Sequence, residues 1–509
     1  MSHPLEEPGE SQRNPDPCVL VIFGATGDLT ARKLMPAIYN LKREGQLPSQ
    51  FACVGFARRE KDHDQFRSEM KEAISQHSRV KPIDETLWDT FEKQVFYHKS
   101  EFDDDAGYES FHKFLEELDQ QFGTRGNRVY YLSTQPSFFP KIIEKLKAHN
   151  LIYPEGEESK FSRVIIEKPF GHDIDSALAL QKDLLQHLRE DQLYRIDHYL
   201  GKETVQNLLV FRFGNSIFES LWNNRYIDHV QITVAEDIGI GTRGRFYEEQ
   251  GLVRDIMQNH MMQLLSLVAM EPPANLEACS IHDEKVKVLH SIRPFSQTDM
   301  ESSAVRGQYG PGFVGGDQVK GYREEENVDP NSSVETYAAL RFWIDNWRWS
   351  GVPFYMRGAK RLPKRCTEIA ITFKDAPGVL FQDKCNKNEA NTLAIRIQPN
   401  EGIALKINCK VPGPASPIQP VTMDFRYGSF FGLTPPEAYE RLICDAIVGD
   451  LTLFTRQDEV FQSWRLLTPL LNYWAETSPK DFPNYQAGSW GPKAADDMIA
   501  KDGRAWRLI

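Results

Sequence analysis

The chain has 509 residues, 40% of them hydrophobic and 26% charged, which is ordinary globular composition with length enough for two or more cores. Its formal net charge of -12 argues against nonspecific nucleic-acid binding and against an anionic membrane surface, yet leaves room for a local basic pocket around a small phosphate. The seven cysteines (Cys18, Cys53, Cys279, Cys366, Cys385, Cys409, Cys444) form no CxxC pair, which suits a reducing, cytoplasmic setting and gives no zinc signature.

Residues 1–17 are polar and proline-rich, without an apolar h-region, and read as a flexible tail and not as a signal peptide. No run is apolar enough to span a bilayer. Residues 18–23 (CVLVIF) are a short continuous apolar run, the kind of strand buried on both faces of a parallel sheet. Gly24, Ala25, Thr26, Gly27 and Asp28 follow. Leu29, Leu34, Ile38 and Leu41 then mark an amphipathic helix with Arg32 and Lys33 in its early turns. Residues 51–56 predict a second strand, and 128–133 and 162–166 later ones, with helices over 138–149 and 174–190. Strands alternating with helices predict a doubly wound α/β domain.

After Gly201 the pattern changes. A helical piece over 203–209 leads to the alternating strand 228–234, and 251–270 reads as a long helix. Strands over 337–344, 368–373 and 392–398 follow without crossover helices, so their sheet is expected to be largely antiparallel. The region 306–333 reads as a long irregular segment. The expected organisation is a tail (1–17), a dinucleotide-binding domain (18–201), and a substrate-binding and oligomerisation domain (202–509) with a mostly antiparallel sheet. The fold class is thus a Rossmann-type α/β domain joined to a larger α+β domain.

Strand, Gly24-Ala25-Thr26-Gly27, helix is the order of a dinucleotide-binding turn. The glycines allow a tight turn and let the backbone approach a pyrophosphate at the helix N-terminus. The spacing is G-x-x-G, weaker than the fuller G-x-G-x-x-G. The end of the second strand carries Arg58 and Arg59 where an NAD site would place an acid against the ribose 2′-hydroxyl. Guanidinium there suits a 2′-phosphate, so NADP is expected over NAD, with Thr26 and Lys33 as further candidates. The alternative is that both arginines are solvated loop charges. Lys168, at a strand end before Pro169, is placed to reach between cofactor and substrate, and Pro169 is a candidate cis proline.

Residues 195–202 (RIDHYLGK) put a carboxylate, an imidazole, a phenol and an ammonium in succession, broken by Gly201. Such variety fits backbone and side chains converging on a polar anion, although a plain strand-to-helix junction is the other reading. Asp255, Asn259 and His260 lie together in the long predicted helix. A lone histidine on a semi-apolar helix is more often structural; Asp197, if it meets His260, would fix the imidazole tautomer and raise its basicity. Residues 356–365 (MRGAKRLPKR) are a dense basic cluster that suits a small phosphate ester better than nucleic acid.

Taken together, these motifs resemble the glucose-6-phosphate dehydrogenase family. The carriers are GATGDL with Lys33, GFARR, VIIEKPFG, RIDHYLGKETVQN, EEQGLVRDIMQNHMMQ, DEKVKVL and RGAKRLPKR, in the family's order and over nearly the whole chain from Cys18. The resemblance implies oxidation of glucose 6-phosphate at C1 to the 6-phospho-lactone with hydride passing to NADP, the first oxidative step of the pentose phosphate pathway. His260 would be the general base and Asp197 would orient it. His198, Tyr199 and Lys202 would hold the phosphate. Lys168, Glu236, Asp255 and Lys360 would bind the sugar, with Arg365 nearby. Gly24, Ala25, Thr26, Gly27, Asp28, Leu29, Lys33, Arg58 and Lys168 would hold NADP, and no metal is needed.

The resemblance also implies a homodimer or homotetramer without nucleic-acid or membrane partners. Some members hold a second, structural NADP. Arg396, Lys406 and Asp424 resemble parts of that set, whereas Cys366 and Ala370 stand where basic residues are expected. Two other readings remain open: a sugar oxidoreductase of the Gfo/Idh/MocA type, which shares the EKP motif, and a non-enzymatic NADP-binding scaffold or sensor.

Overall fold

The computed structural model describes residues 15–153, 160–377, 390–413, 418–432 and 435–509. Most of the predicted tail, and Cys385, lie outside them. The chain divides into two compact units. The first comprises the described residues of Met1–Glu203, Pro273–His282 and Pro436–Phe461. The second comprises those of Thr204–Pro272, Asp283–Pro435 and Gln462–Ile509.

The first unit is built on a six-stranded sheet of β1 (Cys18–Phe23), β2 (Phe51–Ala57), β3 (Val95–Lys99), β4 (Arg128–Leu132), β5 (Ser162–Ile166) and β6 (Leu193–Arg195). Their order is β3-β2-β1-β4-β5-β6 and every pairing is parallel. Every residue of β1 and β2 is buried, as strands covered on both faces must be. That order is the doubly wound one, in which ligands bind beyond the strands' carboxyl ends. Aspartate caps start the covering helices. Asp62 accepts from the Gln65 amide, and Asp173 forms a capping box with Ser176 ahead of Ile174–Leu185. The short β3 and β6 escaped the sequence reading because neither is a long apolar run.

The second unit holds β7 (Ile227–Ala235), β8 (Ala304–Gly307), β9 (Tyr337–Trp343), β10 (Pro353–Ala359), β11 (Cys366–Phe373), β12 (Thr392–Gln398), β13 (Gly402–Lys410) and β14 (Ile418–Arg426). The order is β14-β13-β12-β11-β7-β10-β9-β8. All neighbours are antiparallel except β7 and β10, which are parallel. A tyrosine-rich core including Tyr247, Tyr309, Tyr322, Tyr337, Tyr355 and Tyr485 packs in this unit.

Two expectations need correction here. The predicted helix over 251–270 does not begin at Gly251, which is non-helical at φ 62°, ψ −179°. The chain continues as a π-helix, Val253–Met261, and then as the α-helix Met262–Ala269. Nor is the region 306–333 wholly irregular. Gly312–Val314 and Asp317–Val319 form a hairpin, and Tyr309–Gly310 pairs with Tyr485–Gln486. Among the described residues no helix is long and apolar enough to cross a membrane.

Candidate active site

In the first unit β1 runs straight into the glycine turn. Gly24 adopts φ +80°, and a Cβ there would lie 2.3 Å from the Ser133 carbonyl oxygen. Only glycine fits both the torsion and the gap. The Gly24 amide donates to Phe56 O at 2.9 Å and the Gly27 amide to Gly24 O at 2.9 Å, so the turn is tied to the end of β2. Ala25 is buried, Thr26 and Leu29 are half-buried, and Gly27 and Asp28 are exposed at the rim, Asp28 pairing with Arg32 at 2.7 Å. Beyond β2, Arg58 and Arg59 are exposed, with the Tyr97 hydroxyl anchoring the loop through Arg59 O at 2.6 Å. Two guanidinium groups therefore stand exposed just beyond the end of β2.

Lys33 pairs with Glu437 at 2.8 Å. Glu437 starts the helix Ala438–Val448, in which Glu440 accepts from Asn40 at 3.0 Å and takes Arg79 as a bidentate partner at 2.8 and 2.9 Å. The turn's helix is thus clamped by a segment some four hundred residues away in sequence.

At the end of β5, Lys168 precedes Pro169 through a cis peptide bond. Beside it Glu167 accepts from the Tyr131 hydroxyl at 2.5 Å. Burial pushes the Glu167 carboxyl up, against the pull of hydrogen bonds from Tyr131 and Tyr439.

The octamer leaves β6 as two overlapping turns. Arg195 is buried against Glu190 and Gln181, at 2.7 and 2.6 Å, and is structural. Asp197, 2% exposed, accepts from the Tyr199 amide at 2.9 Å through one carboxylate oxygen. The Lys202 ammonium lies 4.9 Å over the Tyr199 ring. The half-buried His198 ring lies parallel to Tyr439 at 6.5 Å. Gly201 is obligatory because a Cβ would meet Ala438 O at 2.7 Å. His198, Tyr199 and Lys202 therefore gather in one folded turn, a compact set of donors suited to a phosphate.

In the second unit the parallel pairing of β7 with β10 matches Ala235 with Ala359, so Glu236 and Lys360 leave the sheet side by side. The Glu236 amide donates to Ala359 O at 2.9 Å. Lys360, 2% exposed, forms an ion pair with Glu236 and lies 3.5 Å from Asp255. One ammonium between two carboxylates offers donors and acceptors together, as sugar hydroxyls require. Asp255 belongs to the π-helix Val253–Met261, as does the buried His260. With i→i+5 winding, Asp255 and His260, five residues apart, lie toward the same side of the helix.

The basic cluster over 356–365 is not one phosphate-binding loop. Arg357 is buried in β10 against Trp490 and Trp506, at 5.0 and 4.6 Å, and donates to Thr233 Oγ1 at 3.1 Å. Burial pushes its pKa down. Arg361 pairs with Glu325 at 3.5 Å, and Lys364 and Arg365 are exposed. The run is split because β10, buried throughout, ends at Ala359 and the remaining residues leave it as a loop that reaches the surface at Lys364 and Arg365, which composition does not reveal. Arg365 donates to Gln398 at 3.3 Å. Arg396 pairs with Asp424 at 2.7 Å. The sequence reading did not single out Glu437, Tyr439, Gln398 or Glu335. Glu437 had a signal, since two prolines followed by Glu and a second Glu three residues on announce a helix start.

A parallel β3-β2-β1-β4-β5-β6 sheet with a glycine turn after its first strand, and a separate mixed sheet carrying an acid–lysine pair, define a dinucleotide-binding oxidoreductase of α/β plus α+β architecture. Two family models match: the NAD binding domain of glucose-6-phosphate dehydrogenase over residues 21–207, and its C-terminal domain over residues 209–507. The chain belongs to the glucose-6-phosphate dehydrogenase family. It is 58% identical to a glucose-6-phosphate 1-dehydrogenase of Chlamydia pneumoniae, over 98% of each chain. It is 45% identical to glucose-6-phosphate 1-dehydrogenase 2 of Mycobacterium tuberculosis, over 96% of this chain and 94% of that one. A solved glucose-6-phosphate dehydrogenase in complex with its substrate glucose 6-phosphate superposes with a TM-score of 0.88, at 39% identity over 98% of this chain and 100% of that one. The Mycobacterium avium enzyme gives 0.81, at 34% identity over 97% and 99%.

Proposed function

We propose that this enzyme oxidises D-glucose 6-phosphate at C1 to 6-phospho-D-glucono-1,5-lactone with hydride transfer to NADP, the first oxidative step of the pentose phosphate pathway. The observation that carries the reading is the likeness, over almost the whole chain, to a solved enzyme described with glucose 6-phosphate bound. The folded turn with His198, Tyr199 and Lys202 supports it, because it offers cations and hydroxyl donors to a phosphate.

His260 takes the proton of the C1 hydroxyl as general base. Asp197 orients its imidazole and stabilises the imidazolium that forms. His198, Tyr199 and Lys202 hold the phosphate, which fixes the sugar so that C1 faces the base. Lys360, Glu236 and Asp255 bind ring hydroxyls, with Lys168 and Arg365 at the rim. Bound NADP supplies the hydride acceptor. The residues present fit it: Gly24 leaves a bare backbone turn that any Cβ would block, Lys33 is a cation on the helix after that turn, Lys168 is one just past β5, and Arg58 is exposed for the 2′-phosphate.

On this reading residues 18–201 are the cofactor domain and 202–509 the substrate and oligomerisation domain. A homodimer or homotetramer is supported by an exposed apolar face on β14 and the helix Tyr427–Phe431 that follows it. Val421, Met423, Phe430 and Phe431 are exposed there, and β14 is an open sheet edge. Cys18, Cys53, Cys279, Cys366, Cys409 and Cys444 are free thiols, in keeping with a cytoplasmic site of action. A substrate panel tests the reading. Turnover with glucose 6-phosphate and none with free glucose or other unphosphorylated sugars is expected; preference for an unphosphorylated sugar would contradict it.

A further inference from the structure

The helix Gly244–Leu252 does not run smoothly into the π-helix Val253–Met261. Gly251 breaks it, in a backbone conformation (φ 62°, ψ −179°) open to little but glycine. A Cβ at Gly251 would stand 2.5 Å from Glu335 Oε1, so the break is packed directly against that side chain. A helix that starts afresh has amides with no acceptor inside it. Glu335 accepts from two of them: its carbonyl from the Leu252 amide at 3.1 Å, and its Oε1 from the Val253 amide at 3.1 Å.

The next residue performs a second task. Thr336 O accepts from the Lys360 amide at 3.0 Å. The Tyr485 hydroxyl donates to Lys360 O at 2.8 Å and lies 3.0 Å from Thr336 Oγ1. The approach to Glu335 is itself fixed, since Gln308 donates to Ser332 O and Val334 O at 3.0 and 2.9 Å, and Ser332 donates to Glu248 at 2.7 Å. Glu335 and Thr336 thus form a bracket. One arm sets where the helix begins and the other sets Lys360.

We propose that Glu335 is a positioning residue for the reaction: it fixes the start and rotation of the helix, so that Asp255 meets Lys360 and His260 shares the same face. This rests on the reading of His260 as the base. Glu335 acts through the helix and not by contact with substrate. The bracket needs an acceptor at Oε1 and does not need a charge there. Burial pushes the Glu335 carboxyl up while the Val253 amide pulls it down. Glutamine offers the same acceptor in either case.

The test uses the full-length protein with Glu335→Ala, Glu335→Asp and Glu335→Gln, glucose 6-phosphate and NADP. Rates are normalised to NADPH-binding sites counted by fluorescence titration. Glu335→Ala is expected to lower kcat per binding site by about 10- to 100-fold, as small misplacement of a catalytic group does, with NADPH affinity unchanged. Glu335→Gln should restore kcat to within about threefold. A purely structural lesion would instead remove binding sites and rate in proportion. If Glu335→Ala does not fold, the other two decide. A slow Asp variant beside a near-normal Gln variant supports the bracket. Wild-type kcat in Ala or Asp, or a folded Gln variant as slow as Ala, overturns it. Failure of the functional reading looks different: the wild-type protein would be inactive on glucose 6-phosphate, or His260→Asn would keep full turnover.

Discussion

Replacing Lys360 with methionine keeps the length and apolar stem of the side chain but leaves Glu236 and Asp255 facing each other without their cation. Lys360 is buried, whereas the Glu236 and Asp255 side chains are 23% and 12% exposed. Breaking a fully buried ion pair from one side costs about 3–5 kcal/mol; screening at the two partly exposed acids lowers the expectation to about 2–3 kcal/mol. For a unit of this size, at about 2 °C per kcal/mol, that is a fall of roughly 4–6 °C in Tm. Glu236→Gln on the Lys360→Met background removes one of the two opposed charges and should recover at least half of the loss. Turnover should not recover, because on the proposed reading the ammonium binds sugar hydroxyls and it is still gone. The assay is a thermal melt and a steady-state rate for wild type, both single variants and the double variant. A Lys360→Met protein melting within about 1 °C of wild type would refute the electrostatic reasoning. A double variant less stable than Lys360→Met would refute it equally. Recovery of activity together with stability would remove Lys360 from the substrate site.

His260→Asn should lower kcat by roughly 10²–10⁴-fold while glucose 6-phosphate still protects the variant against heat; near-normal turnover would take the base role from His260. Arg58→Ala should weaken NADP by about 10- to 100-fold, the worth of a charged hydrogen bond, and NAD by far less; equal losses for both would count against a 2′-phosphate contact. The Asp228 carboxyl is partly buried, which alone would raise its pKa, but hydrogen bonds from Arg504 and His229 hold it well below the usual range. A depressed carboxyl stabilises the fold above its unfolded pKa and loses that contribution as pH falls through the folded one. Asp228→Asn should therefore lower Tm near neutrality and narrow its gap to wild type in acid. A gap that does not change with pH would contradict this.

The first sheet was legible because β1 and β2 are continuous apolar runs and the glycine turn sits directly between strand and helix. β3 and β6 were not: β3 (VFYHK) ends in two polar, partly exposed residues, and a three-residue strand such as β6 carries too little pattern. In the second unit β10 was hidden by its own chemistry. Arg357, inside the strand, reads as surface charge until Trp490 and Trp506 are seen packed against it. The donor turn over 195–202 could be picked out because its groups are consecutive. The ring beside them could not, because Tyr439 comes from a distant segment, and the pairings of Lys33 with Glu437 and of Val253 with Glu335 likewise follow from tertiary structure alone. The helix break at Gly251 illustrates the same limit. A lone glycine in a helical pattern is usually tolerated, and only the position of Glu335 shows why this one ends the helix.

The most direct test of the central claim is reduced-nicotinamide formation by the purified protein, followed by absorbance, with glucose 6-phosphate and NADP, then with NAD, and with free glucose as control. The account predicts turnover that requires the phosphate and prefers NADP. Turnover with free glucose at the same rate, or no turnover by a protein that binds NADP, would contradict it.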